Sequence, residues 1–146
     1  MKNLWILLML GSIAFIQVSC NSNSDKIIGE WAGVYNGIQT KMIFDKYNNI
    51  IIVDGNKVLG GSDFMINGVK AELTYELDYT KSPVWLDVIG HDKDHLKKDS
   101  RFKGIIKFLS DTKIQYRMNF RADGDRPANF NYSDNANTIV LDKVIK

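Results

Sequence analysis

The stretch LTYELDYTKSPVWLDV, residues 73–88, decides the fold. Within it Leu73, Tyr75, Leu77 and Tyr79 alternate with Thr74, Glu76 and Asp78, the two-residue period of a strand with one dry and one wet face. A helix would scatter these side chains around its axis. Pro83 breaks the run, because proline lacks the N–H that a ladder position needs, and a second alternation resumes with Val84, Leu86 and Val88 against Trp85 and Asp87. The segment therefore predicts strand, corner, strand.

The same period extends in both directions. Upstream, a first strand over residues 31–35 runs into the turn pair Asn36-Gly37. Residues 40–44 and the β-branched run 50–53 follow, then a turn at Asp54-Gly55-Asn56 and an interruption at Gly60-Gly61-Ser62. Asn67-Gly68, between residues 64–66 and 69–71, is the strongest hairpin signal in the chain. Downstream, residues 90–100 are polar and aperiodic and predict a mobile loop. Phe102, Gly104, Ile106 and Phe108 alternate with lysines, and Ile114, Tyr116, Met118 and Phe120 alternate with polar residues. A turn at residues 122–125, a short strand over 128–132 and a last strand over 138–145 complete the chain. Eight to ten short strands joined by tight turns predict an all-β antiparallel up-and-down meander closed as a barrel, with a two-sheet sandwich as the alternative.

Composition agrees with a single domain. The chain has 146 residues, 45% hydrophobic and 25% charged, and a chain of this size buries about two-thirds of its unfolded surface without a metal or disulfide. The formal net charge is +2 with the basic residues dispersed, which provides no concentrated footprint for nucleic acid. The one cysteine, Cys20, rules out an internal disulfide.

Residues 1–19 read as a secretory signal: Lys2, then the apolar run beginning LWILLML, then the small residue Ser19. Val18-Ser19-Cys20 resembles the lipobox of bacterial lipoproteins, with Gln17 where leucine is usual. The resemblance implies acylation of the Cys20 thiol and a lipid anchor that needs no spanning helix. An ordinary cleaved signal or an uncleaved anchor helix is the competing reading. Residues 20–26 are polar and predict a flexible tether to a domain over residues 27–146. The expected location is the bacterial envelope, on the outer membrane, facing the periplasm or the cell surface.

Gly29-Glu30-Trp31 resembles the Gly-x-Trp signature of lipocalins, in which the tryptophan plugs one barrel end beside an arginine. YTKSPVWLD (79–87), GIIKFLSDTKI (104–114) and RPANF (126–130) resemble, in order and spacing, a family of small bacterial domains common in planctomycetes and related to lipocalin-like barrels. The family usually carries Gly-Asp where this chain has Ser110-Asp111, a tyrosine where it has Ile106, and a cysteine near Arg117. The resemblance implies a lipocalin-like barrel with Trp31, Pro83, Trp85, Arg126 and Pro127 as structural signature residues, and it carries no activity. Arg126 is expected to cap the barrel end against Trp31, where it can stack and donate to carbonyls.

Two sets of residues are candidate sites. Tyr75, Tyr79, Tyr116, Met118 and Phe120 occupy apolar strand faces and would line or fill the interior. His91 and His95, with Asp92 and Asp94, are weak candidates for a divalent metal, because Lys93, Lys97 and Lys98 would repel it. No nucleophile elbow, phosphate loop or zinc-protease motif occurs, so neither enzyme chemistry nor a cofactor is expected. Two functions remain: binding of a small apolar or amphipathic ligand inside the barrel, or a protein-interaction module of the envelope. An interior cavity would favour the first and a filled interior the second.

Overall fold

The computed structural model describes residues 23–94, 98–131 and 138–145. A 3-10 turn, Asn23–Ile27, leads into nine strands: β1 (Gly29–Tyr35), β2 (Ile38–Phe44), β3 (Ile50–Asp54), β4 (Lys57–Ile66), β5 (Val69–Asp78), β6 (Val84–Asp92), β7 (Ser100–Ser110), β8 (Lys113–Met118) and β9 (Thr138–Lys143). Each pairs antiparallel with the next and β1 pairs with β9, so the sheet is a closed barrel. The tight turns fall where their residues tolerate positive φ: Asn36 (φ 50°) with Gly37 (φ 78°), and Asn67 (φ 51°) with Gly68 (φ 80°).

An antiparallel ring closes only on an even number of strands, because direction alternates at every neighbour. Nine strands close here because β4 changes direction along its length. Residues 57–60 pair with β3 and residues 61–66 pair with β5, with the register shifting between Gly61 and Phe64. Gly60 (φ 107°) and Gly61 (φ 88°) take up the bend, and a Cβ on Gly60 would lie 2.2 Å from the Ile50 carbonyl oxygen. Where β4 departs, β3 and β5 meet directly: Asn49 bridges Thr74, and the Tyr75 N–H donates to the Asn48 carbonyl at 2.8 Å. The wall thus has eight staves, and β4 is the shared arm of two hairpins.

Following strand directions round the ring sorts the ends. At one lie the 3-10 turn, the start of β1, residues 45–49, the corner 79–83 and the end of β9. At the other lie the β1–β2, β3–β4 and β4–β5 turns and the end of β8. The first end is sealed. Ile27 and Trp31 are fully buried there, and the Trp31 indole N–H donates to the Ile27 carbonyl at 2.7 Å. Phe44 meets Tyr75 edge to face at 5.0 Å, and the Tyr75 hydroxyl donates to the Asp45 carbonyl at 2.8 Å. Leu86, Val88, Ile106, Ile114, Tyr116 and Leu141 fill the interior above them.

Four expectations change. Residues 128–131 are irregular where a short strand was expected, because their backbone crosses the outside of the barrel; Tyr132 lies outside the described residues. Gly90, His91 and Asp92 continue β6 and Ser100 opens β7, so the polar loop is shorter than residues 90–100. Residues 23–27 form the 3-10 turn, which shortens the tether expected over 20–26. The last strand ends at Lys143. Cys20 and the signal segment lie outside the described residues.

Candidate functional site

Alternation assigns Asp87 and Ile89 of β6, Ile105 of β7 and Gln115 and Arg117 of β8 to the outer face, yet all five are buried. Residues 119–131 return over this face, bonded to Asp87, Arg101, Lys103, Gly104 and Arg117. The strap leaves β8 at the open end, where the Asp123 N–H donates to the Arg101 carbonyl at 2.8 Å. It then turns back across the sheet, and Arg117 Nη1 donates to the Asn129 carbonyl at 3.0 Å.

Its centre is Arg126. The guanidinium forks onto Asp87, with Nη2 at 2.9 Å from Oδ2 and Nη1 on Oδ1, and Nη1 also donates to the Gly104 carbonyl at 2.6 Å. Arg101 joins Asp87 at 3.0 Å to Glu76 at 2.7 Å. Burial pushes the Asp87 carboxyl upward, but hydrogen bonds from Arg126 and Arg101, the Arg126 charge and the Gly104 N–H outweigh it and hold its pKa below the ordinary 3.8. The network is a clamp whose partners are all mutually satisfied.

The arginine expected beside Trp31 therefore sits elsewhere: Arg126 lies over Trp85, and the cation near Trp31 is Lys143, its amine 5.1 Å from the ring centroid. The reason is the path of the strap, which runs outside the wall. Pro83 follows Ser82 through a cis peptide bond at the corner, and Pro127 follows Arg126 on the strap. A hint existed in the sequence: Trp85, Ile89 and Ile105 are large apolar residues at wet-face positions.

The five interior candidates do not surround one space. Tyr75 and Tyr116 are packed in the core, and Tyr79 stacks on Phe108 at the sealed end at 6.3 Å. Met118 is buried, whereas Phe120 is exposed at the open end, 6.3 Å from Tyr35. Burial pushes the Tyr79 phenol up to about 12 and raises the Tyr116 phenol as well. Among the described residues neither hydroxyl has a hydrogen-bond partner.

His91 is committed to protein contacts, with Nδ1 at 2.9 Å from Asp99 and Nε2 at 2.8 Å from the Thr74 hydroxyl. His95 lies outside the described residues, and among the described residues no cluster of three metal ligands forms.

At the open end several apolar side chains of β4 face solvent. Val58 and Met65 are 65% and 60% exposed, Ile38, Leu59 and Ile66 are exposed on β2 and β4, and Phe120 is exposed just beyond β8; at the sealed end Tyr47 and Ile145 are exposed as well. Each half of β4 pairs on one edge only: the first half with β3, the second with β5. Among the described residues no strand covers the remaining edges.

Comparison with protein-family models, with curated proteins and with solved structures finds no match. The fold and its sites therefore rest on the chain's own geometry. Among the described residues no helix is long and apolar enough to cross a membrane.

Proposed function

We propose that the chain is a bacterial envelope lipoprotein, anchored through acylated Cys20, whose barrel is a recognition module for a protein partner. One observation carries this reading: at the end opposite the sealed one, β4 exposes Val58, Leu59, Met65 and Ile66 along strand edges that no other described strand pairs. Exposed apolar side chains gathered on one strand of a small domain are the surface a partner would cover. The half-paired edges of β4 add backbone groups that an extended partner segment can meet by strand addition. The chain enters the barrel at the sealed end, so a tether there turns the β4 end away from the membrane.

A photo-crosslinking residue placed at Val58 or Met65 of the membrane-bound chain is expected to yield a protein adduct, and the same residue at Tyr47, on the sealed end, none. Val58→Asp with Met65→Asp should abolish the adduct captured from a third position, Leu59. Adducts from Tyr47 alone, or none from the β4 end, overturn the reading.

A second reading, an apolar or amphipathic ligand within the barrel, draws on the buried Tyr116 hydroxyl that lacks a partner among the described residues. Its test is organic extraction of the purified protein followed by mass spectrometry. A lipid present at about one per chain supports it, and none overturns it.

A further inference from the structure

We propose that a cleft on the outside of the sealed end, independent of the β4 surface, binds a single-chain amphiphile with an anionic head, a carboxylate or a phosphate monoester. The cleft is an open groove of about 480 Å³ between the corner at Pro83, the end of β7 and the strap residues Asn129 and Phe130. It exists because the β6–β7 ladder stops early. Val84, the first residue of β6, pairs with Ile106, so residues 107–110 run on without a β6 neighbour.

The walls have two chemistries. Pro83, Val84, Phe108 and Phe130 supply an apolar trough, over which each buried methylene contributes about 0.8 kcal/mol. Lys81 and Lys107 line it as well, both exposed. Among the described residues neither amine forms an ion pair, although the Lys81 charge reaches the Asp78 carboxylate and helps hold its pKa down. Lys81 has its amine 5.0 Å from the Trp85 ring, and the nearby Asp78 is turned to the Thr80 N–H at 2.9 Å and hydroxyl at 2.5 Å. Lys107, which forms no ion pair among the described residues, and Lys81, whose charge is only partly offset by the neighbouring Asp78, stand above an apolar trough and complement an anionic head on a hydrocarbon chain; a neutral or cationic amphiphile leaves them unmatched. The strap wall is held in place from behind by the Arg117 bond to Asn129 and the Arg126 clamp on Asp87.

The test uses the full chain in isolated membranes and an octanoate bearing a diazirine, with labelled peptides mapped by mass spectrometry. Label is expected on the segments around Pro83, Phe108 and Phe130, displaced by octanoate or octyl phosphate but not by octylamine. Which of the two anions displaces it at lower concentration identifies the head group. Lys81→Gln with Lys107→Gln should lower labelling about tenfold, while Lys81→Arg with Lys107→Arg retains it and Lys57→Gln, at the far end, leaves it unchanged. Label elsewhere in the chain, equal label from the corresponding diazirine alcohol, or undiminished label in the glutamine pair overturns the proposal.

Discussion

The Arg126 guanidinium carbon lies 4.1 Å above the centroid of the Trp85 ring while its nitrogens fork onto Asp87, two residues further along β6. One arginine thus satisfies a buried carboxylate, covers an aromatic face and fastens the strap to the wall. Removing it leaves Asp87 buried with Arg101 as its remaining cationic partner. Arg126→Ala or Asp87→Ala should cost about 3–5 kcal/mol of unfolding free energy in urea titrations, the range for breaking a buried pair from one side. Arg126→Lys keeps the charge but loses the fork and the planar stack, and should cost about 1 kcal/mol.

The same pair sets an acid limit. The folded Asp87 pKa lies below its unfolded value, so its contribution is complete above about pH 4 and is lost as pH falls through the folded pKa. Asp45, which accepts the Tyr47 and Asn49 N–H groups at 2.8 Å, titrates in the same sense. Urea midpoints should be flat from about pH 5 to 7 and fall below about pH 4. The difference between the wild type and Asp87→Asn should shrink on that acid limb. A difference that grows toward acid would contradict the assignment.

Gly104 is a packing requirement of the inner wall. A Cβ there would meet the Leu86 carbonyl oxygen and Tyr116 Cε2 at 2.7 Å and the Arg117 carbonyl oxygen at 2.9 Å. Because two of these three are backbone, little can give way, and Gly104→Ala should cost more than about 2 kcal/mol. Gly37→Ala meets open space and carries only the penalty of its φ of +78°, about 1 kcal/mol. Thermal unfolding of the two variants side by side checks the ordering.

Trp31 plugs the sealed end with no exposed surface and an indole N–H bound to the Ile27 carbonyl. Trp31→Ala should cost about 3–5 kcal/mol, and Trp31→Phe less, because it preserves most of the packing while leaving that carbonyl without its donor.

Labelling of cells with radioactive palmitate should mark the wild type and not Cys20→Ala, with the variant lost from the membrane fraction. Equal label in both would remove the lipid anchor from the reading.

The barrel was legible in residues 73–88 because a two-residue period depends only on which neighbours along the chain are apolar, and Asn36-Gly37 and Asn67-Gly68 mark turns by their own backbone freedom. Gly60-Gly61 was legible as an interruption but not as the bend that lets nine strands close, since parity belongs to the whole ring. Trp31, within β1, lies buried at the sealed end; the sequence suggested a barrel end for it only through the resemblance of Gly29-Glu30-Trp31 to the Gly-x-Trp signature. The arginine expected beside Trp31 instead lies over Trp85. Arg126 and Asp87 are 39 residues apart, and the apolar wet-face residues Trp85, Ile89 and Ile105 hint that the outer wall is covered without recording which segment returns across it.

The sequence by itself determined the strands, their dry faces and most of their turns, because these follow from side-chain alternation and local φ preferences. Tertiary structure alone decided where Arg126 lands, which edges of β4 stay unpaired, and that a cleft opens at Pro83. Each of these depends on where distant segments meet, and that is set by burying Ile89 and Ile105 beneath a strap whose own residues carry no period.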